Sequence, residues 1–201
     1  MATPIIPVPG LELLVPLTEV KVTQRKSIVN QYVIHTKEGQ VLYNVKEDAT
    51  NMSVLCGGGN DRSFTMQVFD VNDLEVFSMR RPMTWGPGKM KVILASGQLI
   101  SIIRRKKTYL KPVLYINDAR DCRVFKVKAD KVSQVENHFY IYSLDGTQVG
   151  VITKTWAGWR KELLSQADNF EVKFPPDLDA SFKAVVISAT FFIDFLIYEG
   201  K

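Results

Sequence analysis

From Glu19 to Phe174 the apolar positions recur every second residue in short runs, and the runs are punctuated by Gly, Asn and Asp. Val124–Lys128 and Phe64–Phe69 show the alternation most clearly. A period of two with turn residues at the breaks predicts β-hairpins. A first strand is expected at Glu19–Gln24. Five hairpins follow: Gln31–His35 with Gln40–Val45, Ser63–Asp70 with Leu74–Arg80, Met90–Ala95 with Gln98–Arg104, Val113–Asn117 with Cys122–Lys128, and His138–Ser143 with Thr147–Thr153. A last strand is expected at Phe170–Phe174, for about twelve in all.

The pattern changes in the last twenty residues. Ala184–Tyr198 is apolar or small almost throughout, interrupted by Ser188, Thr190 and Asp194. No polar stripe runs along it, so a helix over residues 182–199 requires burial on every side. The run is short for a bilayer span, which needs roughly 20 apolar residues. It also carries Asp194, which is costly in hydrocarbon. Hairpins in series close to remove their edges, and a barrel of about twelve strands is too wide for its own side chains to fill. The expectation is a mainly β protein: a closed antiparallel barrel around a buried hydrophobic C-terminal helix, with one or two short outer helices. Glu47–Leu55 and Thr155–Gln166 are the outer-helix segments.

Residues 1–16 contain Pro4, Pro7, Pro9 and Pro16, which oppose regular pairing, so they read as an arm preceding a domain over 17–201. Its apolar residues suggest that part of it docks on the domain.

Composition adds little to this picture. The chain has 201 residues, 46% of them hydrophobic, with a net charge of +5. That is a globular composition, mildly basic, compatible with an anionic partner. Cys56 and Cys122 have no metal or redox spacing and read as free thiols. With only two histidines a zinc site is poorly supplied. Cys56–Arg62 is glycine-rich but lacks the Gly-Lys-Ser/Thr of a phosphate loop and reads as a loop. No signal peptide is expected at the N-terminus. No Ser/His/Asp or paired-carboxylate arrangement points to an enzyme.

Arg104, Arg105, Lys106 and Lys107, with Lys111 and the partner-strand residues Lys89 and Lys91, form the densest basic patch. Clustered cations at a surface attract anionic lipid at about 1 kcal/mol each. No nucleic-acid motif accompanies them, so a nucleic-acid partner is not expected. Asp194 in the apolar run reads as a buried acid bonded to a barrel side chain.

Several stretches resemble the phospholipid scramblase family. They are Val149–Gly158, Ala167–Phe170, Phe174–Pro175, Asp177–Asp179 and Phe192–Phe195, and upstream Pro9–Glu12, Gly39–Gln40, Ser63–Thr65 and Arg81–Pro82. The resemblance implies a Tubby C-terminal-like barrel. It also implies calcium-dependent, energy-independent movement of phospholipids between leaflets, at the cytoplasmic face of the plasma membrane. The alternative is a soluble Tubby-like module that binds phosphoinositides or protein partners and moves no lipid.

The family's palmitoylated cysteine cluster would follow Arg81-Pro82, where this chain has Met83–Lys89 and no cysteine. A cytosolic or nuclear site is the alternative on that account. The family's EF-hand-like calcium segment maps onto Gln166–Asp177, with Asp168, Asn169, Glu171, Asp177 and Asp179 as possible ligands. An amide (Gln166) stands at the first position, and Glu171 stands where the loop requires glycine. Lys154, Arg160 and Lys161 match in part the family's nuclear-import-like stretch, against a reading as a solvated helix face.

Overall fold

The computed structural model describes residues 8–25, 30–48, 63–83, 88–106, 108, 112–130, 136–155 and 169–197. Twelve strands follow one another: β1 (Glu19–Arg25), β2 (Gln31–His35), β3 (Val41–Glu47), β4 (Phe64–Phe69), β5 (Glu75–Arg81), β6 (Lys89–Leu94), β7 (Leu99–Arg105), β8 (Val113–Asn117), β9 (Arg123–Ala129), β10 (Glu136–Tyr142), β11 (Gln148–Thr155) and β12 (Asn169–Lys173). Each pairs antiparallel with its sequence neighbours, and β1 pairs with β12, so the sheet closes into a barrel without edges. The helix α1 (Ala180–Ile197) completes it.

The period-two residues explain the wall. Phe64, Met66 and Val68 of β4 and Asn137, Phe139 and Ile141 of β10 face inward and are buried. Helix α1 fills the lumen that these leave. Every residue from Ala184 to Leu196 is buried. Tyr32 meets Phe191 edge-on at 4.9 Å between ring centres, and Phe64 packs on Phe195 at 4.8 Å. An all-round apolar helix and a wide barrel thus satisfy each other.

The helix begins at Ala180, two residues earlier than the hydrophobic run suggests. Asp179 caps it: its Oδ1 accepts a hydrogen bond from the Ser181 amide at 2.8 Å. Glu47 ends β3 and Thr155 ends β11, which corrects the expectation that outer helices start there. The remainder of both segments, with Cys56–Arg62, lies outside the described residues.

The two ends of the barrel differ. One end carries five tight turns, each a loop of four or five residues with one residue at positive φ: Gly39, Asp73, Gly97, Asp121 and Gly146. In each hairpin a register shift sits beside the turn, the signature of a type I turn with a bulge. Residues 8–17 lie at this end. Leu11 and Leu14 are fully buried, and the Tyr43 hydroxyl donates to the Gly10 carbonyl at 2.8 Å. The other end carries the longer connections after β3, β5, β7, β9 and β11, and α1 runs towards it from the tight-turn end.

Candidate functional site

Helix and wall are joined by a buried ion pair. Lys154 stands at an inward position of β11, fully shielded from solvent, and its Nζ donates to Asp194 Oδ1 at 2.6 Å. The Tyr32 hydroxyl of β2 donates to Asp194 Oδ2 at 2.8 Å. The Lys154 ammonium also lies 4.9 Å from the centre of the Phe170 ring of β12. A carboxylate taken out of water requires such partners. Asp194 is thus a buried acid whose partners are a strand lysine and a strand tyrosine. Lys154 is corrected: it belongs to a strand and faces the core, so it is on no solvated helix face in the folded chain. Arg160 and Lys161 lie outside the described residues.

Two further cations are buried near the ends of the helix. The Lys183 Nζ donates to the carbonyls of Leu14 (3.2 Å) and Val15 (2.8 Å), tying the helix start to residues 8–17. Desolvation pushes its pKa down, against the pull of Asp179 and Asp177. At the other end the Arg81 guanidinium lies over the Phe195 ring, 4.5 Å from its centre. Sequence reading assigned no role to Lys183 or Arg81. The visible signal was a charge at a phase that alternation makes inward, as Arg81 is to Met79 and Phe77.

The acidic segment does not gather. Asn169 and Glu171 stand on β12, with Glu171 paired to Lys173 at 2.7 Å. Asp177 and Asp179 lie beyond the opposite end of that strand, and Asp179 is engaged as the helix cap. Four steps of about 3.3 Å put roughly 13 Å between Asn169 and Lys173 alone. A single ion needs its oxygens at about 2.3–2.6 Å, so these residues form no common shell in this arrangement. Among the described residues no cluster of three or more His, Cys, Asp or Glu could hold a metal. Asp168 lies outside them.

The basic patch is split. Arg104 of β7 sits opposite Lys89 of β6, but its guanidinium is clamped by the Asp121 carboxylate through both Nε and Nη2. That clamp, with the Asn117 amide, holds the Asp121 pKa down at about 2. Lys91 and Lys106 are exposed and Arg105 is half-buried at the long-loop end. Lys107 and Lys111 lie outside the described residues. Among the described residues no helix is long and apolar enough to cross a membrane.

Comparison with known proteins completes the picture. The family model described as Scramblase matches residues 9–200. Phospholipid scramblase 2 of Bos taurus is 29% identical, with 95% of this chain and 72% of that protein covered. Phospholipid scramblase 1 of Homo sapiens is 29% identical, covering 96% and 66%. Phospholipid scramblase 4 of Homo sapiens is 27% identical, covering 95% and 64%. The chain thus spans 64–72% of the length of these relatives. An X-ray structure of an Arabidopsis thaliana protein superposes with a TM-score of 0.54 at 19% identity, covering 92% of this chain and 99% of that one, which supports the fold. On the match that runs through the barrel and its central helix alike, this chain belongs to the scramblase family.

Proposed function

We propose that the protein acts at membranes on phospholipids, moving them between leaflets without an energy source. The observation that supports this reading is the family match over residues 9–200. No covalent chemistry is part of it. Phospholipids are the partners, and the exposed Lys91 and Lys106 with the half-buried Arg105 at the long-loop end would meet anionic headgroups. Arg104 contributes less, because Asp121 already neutralises it.

Calcium dependence is the part of the family reading that the site supports least. Residues 166–179 include a strand with acids beyond both its ends, and we assign them no tight calcium site. The enclosed helix favours a second reading, a lipid-binding barrel that stays on the membrane surface and moves no lipid. Both are tested by following fluorescent phospholipid across vesicle bilayers with purified full-length chain, with and without calcium and without nucleotide. Transfer beyond the outer leaflet supports the first reading. Vesicle binding without transfer supports the second.

A further inference from the structure

Apolar side chains are exposed mainly at the tight-turn end of the barrel. Among the described residues seven large ones are exposed, and six of them stand there: Leu13, Val15, Val41, Val71, Leu74 and Leu144. Between residues 8–10 and the turns after β4 and β6 lies a groove of about 260 Å³. Val8, Pro9, Val76, Leu94 and Ala95 give it an apolar floor, and Leu74, 65% exposed, stands at its rim. Gly10 lets the chain lie directly on β5: its φ is +85°, and a Cβ there would come within 2.7 Å of Val76 Cγ1. The Tyr43 hydroxyl holds the Gly10 carbonyl from the other side, so the groove is preformed.

Its walls are acidic. Asp70 and Glu75 line it, and neither meets a lysine or arginine among the described residues, whereas the neighbouring Asp73 is paired with Lys46 at 3.5 Å. Asp70 accepts hydrogen bonds from the amides of Leu74 (2.9 Å) and Asn72 (2.8 Å), which hold its pKa down and keep it an anion. Glu12 adds a third charge from the adjoining turn. After burial, it is Glu12 and Asp70 that push the Tyr43 pKa up, so both carboxylates act on the same corner. No cation of the protein answers this corner, although the chain as a whole carries a net charge of +5.

We propose that this groove docks a segment of a protein partner that carries an aliphatic side chain beside one or two lysines or arginines. The aliphatic group fills the floor over Val76 and Leu94, and the cations meet Glu12, Asp70 and Glu75. Size and charge select this occupant. The volume is below the roughly 300–1,000 Å³ of small-molecule sites, and suits the anchoring side chains of a longer ligand. The acids oppose approach to an anionic bilayer and complement a basic peptide. The closed sheet offers no edge for strand addition, so recognition falls to side chains. The groove is at the opposite end of the barrel from Lys91 and Lys106, so a partner and a membrane can be held together. The proposal is independent of whether the chain moves lipid.

The test titrates the full chain into a panel of short fluorescent peptides, each an aliphatic pair flanked by lysine and arginine. Matched peptides carry glutamate or glutamine at the flanks. Fluorescence anisotropy gives affinity, and amide shift changes in the isotope-labelled chain give the site. The basic peptides should bind about tenfold or more tightly than the acidic ones, with shift changes centred on Gly10, Leu74, Val76 and Leu94. Leu74→Ser should weaken binding about tenfold, and Glu12→Gln/Glu75→Gln about fivefold or more. Asp130→Asn, exposed at the long-loop end, should leave it unchanged. The amide spectrum checks that each variant is folded. Absence of binding by the basic peptides overturns the proposal. So does binding that the groove variants leave unchanged, or that Asp130→Asn weakens as much. Two other occupants would also overturn it. A second copy would show as self-association in sedimentation that Leu74→Ser abolishes. A bilayer would show as binding to neutral phosphatidylcholine vesicles that the same substitution abolishes.

Discussion

Single residues bear unequal weight in this fold, and burial decides which. Asp194 and Lys154 are both shielded, so removing one leaves the other an uncompensated charge in the core. Asp194→Ala should cost about 3–5 kcal/mol in urea unfolding, while the double variant Lys154→Met/Asp194→Leu should recover most of that loss. Recovery would separate the worth of the pair from the penalty of a lone charge. At the surface, Gly97 has φ +86, and a Cβ there would meet nothing within 4 Å. Gly97→Ala therefore reports backbone strain alone, about 1–2 kcal/mol. Asp121 gives a pH signature. Its carboxyl is held at about 2 by Arg104 and Asn117, below the unfolded value of about 3.9. Its contribution is present above the unfolded value and disappears as pH falls through the folded one. The decline in stability between those limits should be shallower in Asp121→Asn.

At the scale of elements, the hairpins and the central helix were legible in the sequence because each carries its own period. Alternation in Phe64–Phe69 and Val124–Lys128 fixed which face is inward, and the unbroken run Ala184–Leu196 announced burial all round. Contacts between elements were less legible. Nothing local says that Lys154 reaches Asp194, because 40 residues separate them and the barrel closes the distance. The sequence also suggested a calcium loop where the chain makes strand β12, because spacing of acids along a chain does not reveal that extended backbone keeps them apart. The expected outcome of calcium titration follows. Wild type should show no micromolar site, and Asp177→Ala should leave any weaker binding unchanged, since Asp177 is remote from Asn169 and Glu171. A micromolar site lost in that variant would place the ligands together after all.

The whole molecule is a barrel whose core is its own last helix. That arrangement constrains how it meets a membrane. Extracting α1 would strand Lys154, empty the lumen and expose Phe64, Phe139 and Phe170 from the wall. Such an extraction removes the core of the barrel and so approaches the cost of unfolding the whole domain, about 5–15 kcal/mol for domains in general. On the proposed function, lipid meets the outside of the barrel, where Lys91 and Lys106 are exposed at the long-loop end. Photolabelling with a phospholipid that carries a reactive group deep in its acyl chain tests this directly, with the full-length chain bound to vesicles and the labelled peptides identified by mass spectrometry. The enclosed helix predicts label on outer surfaces and none on Ala184–Leu196. Label concentrated on Ala184–Leu196 would contradict it, because the helix would then have left the barrel for the bilayer.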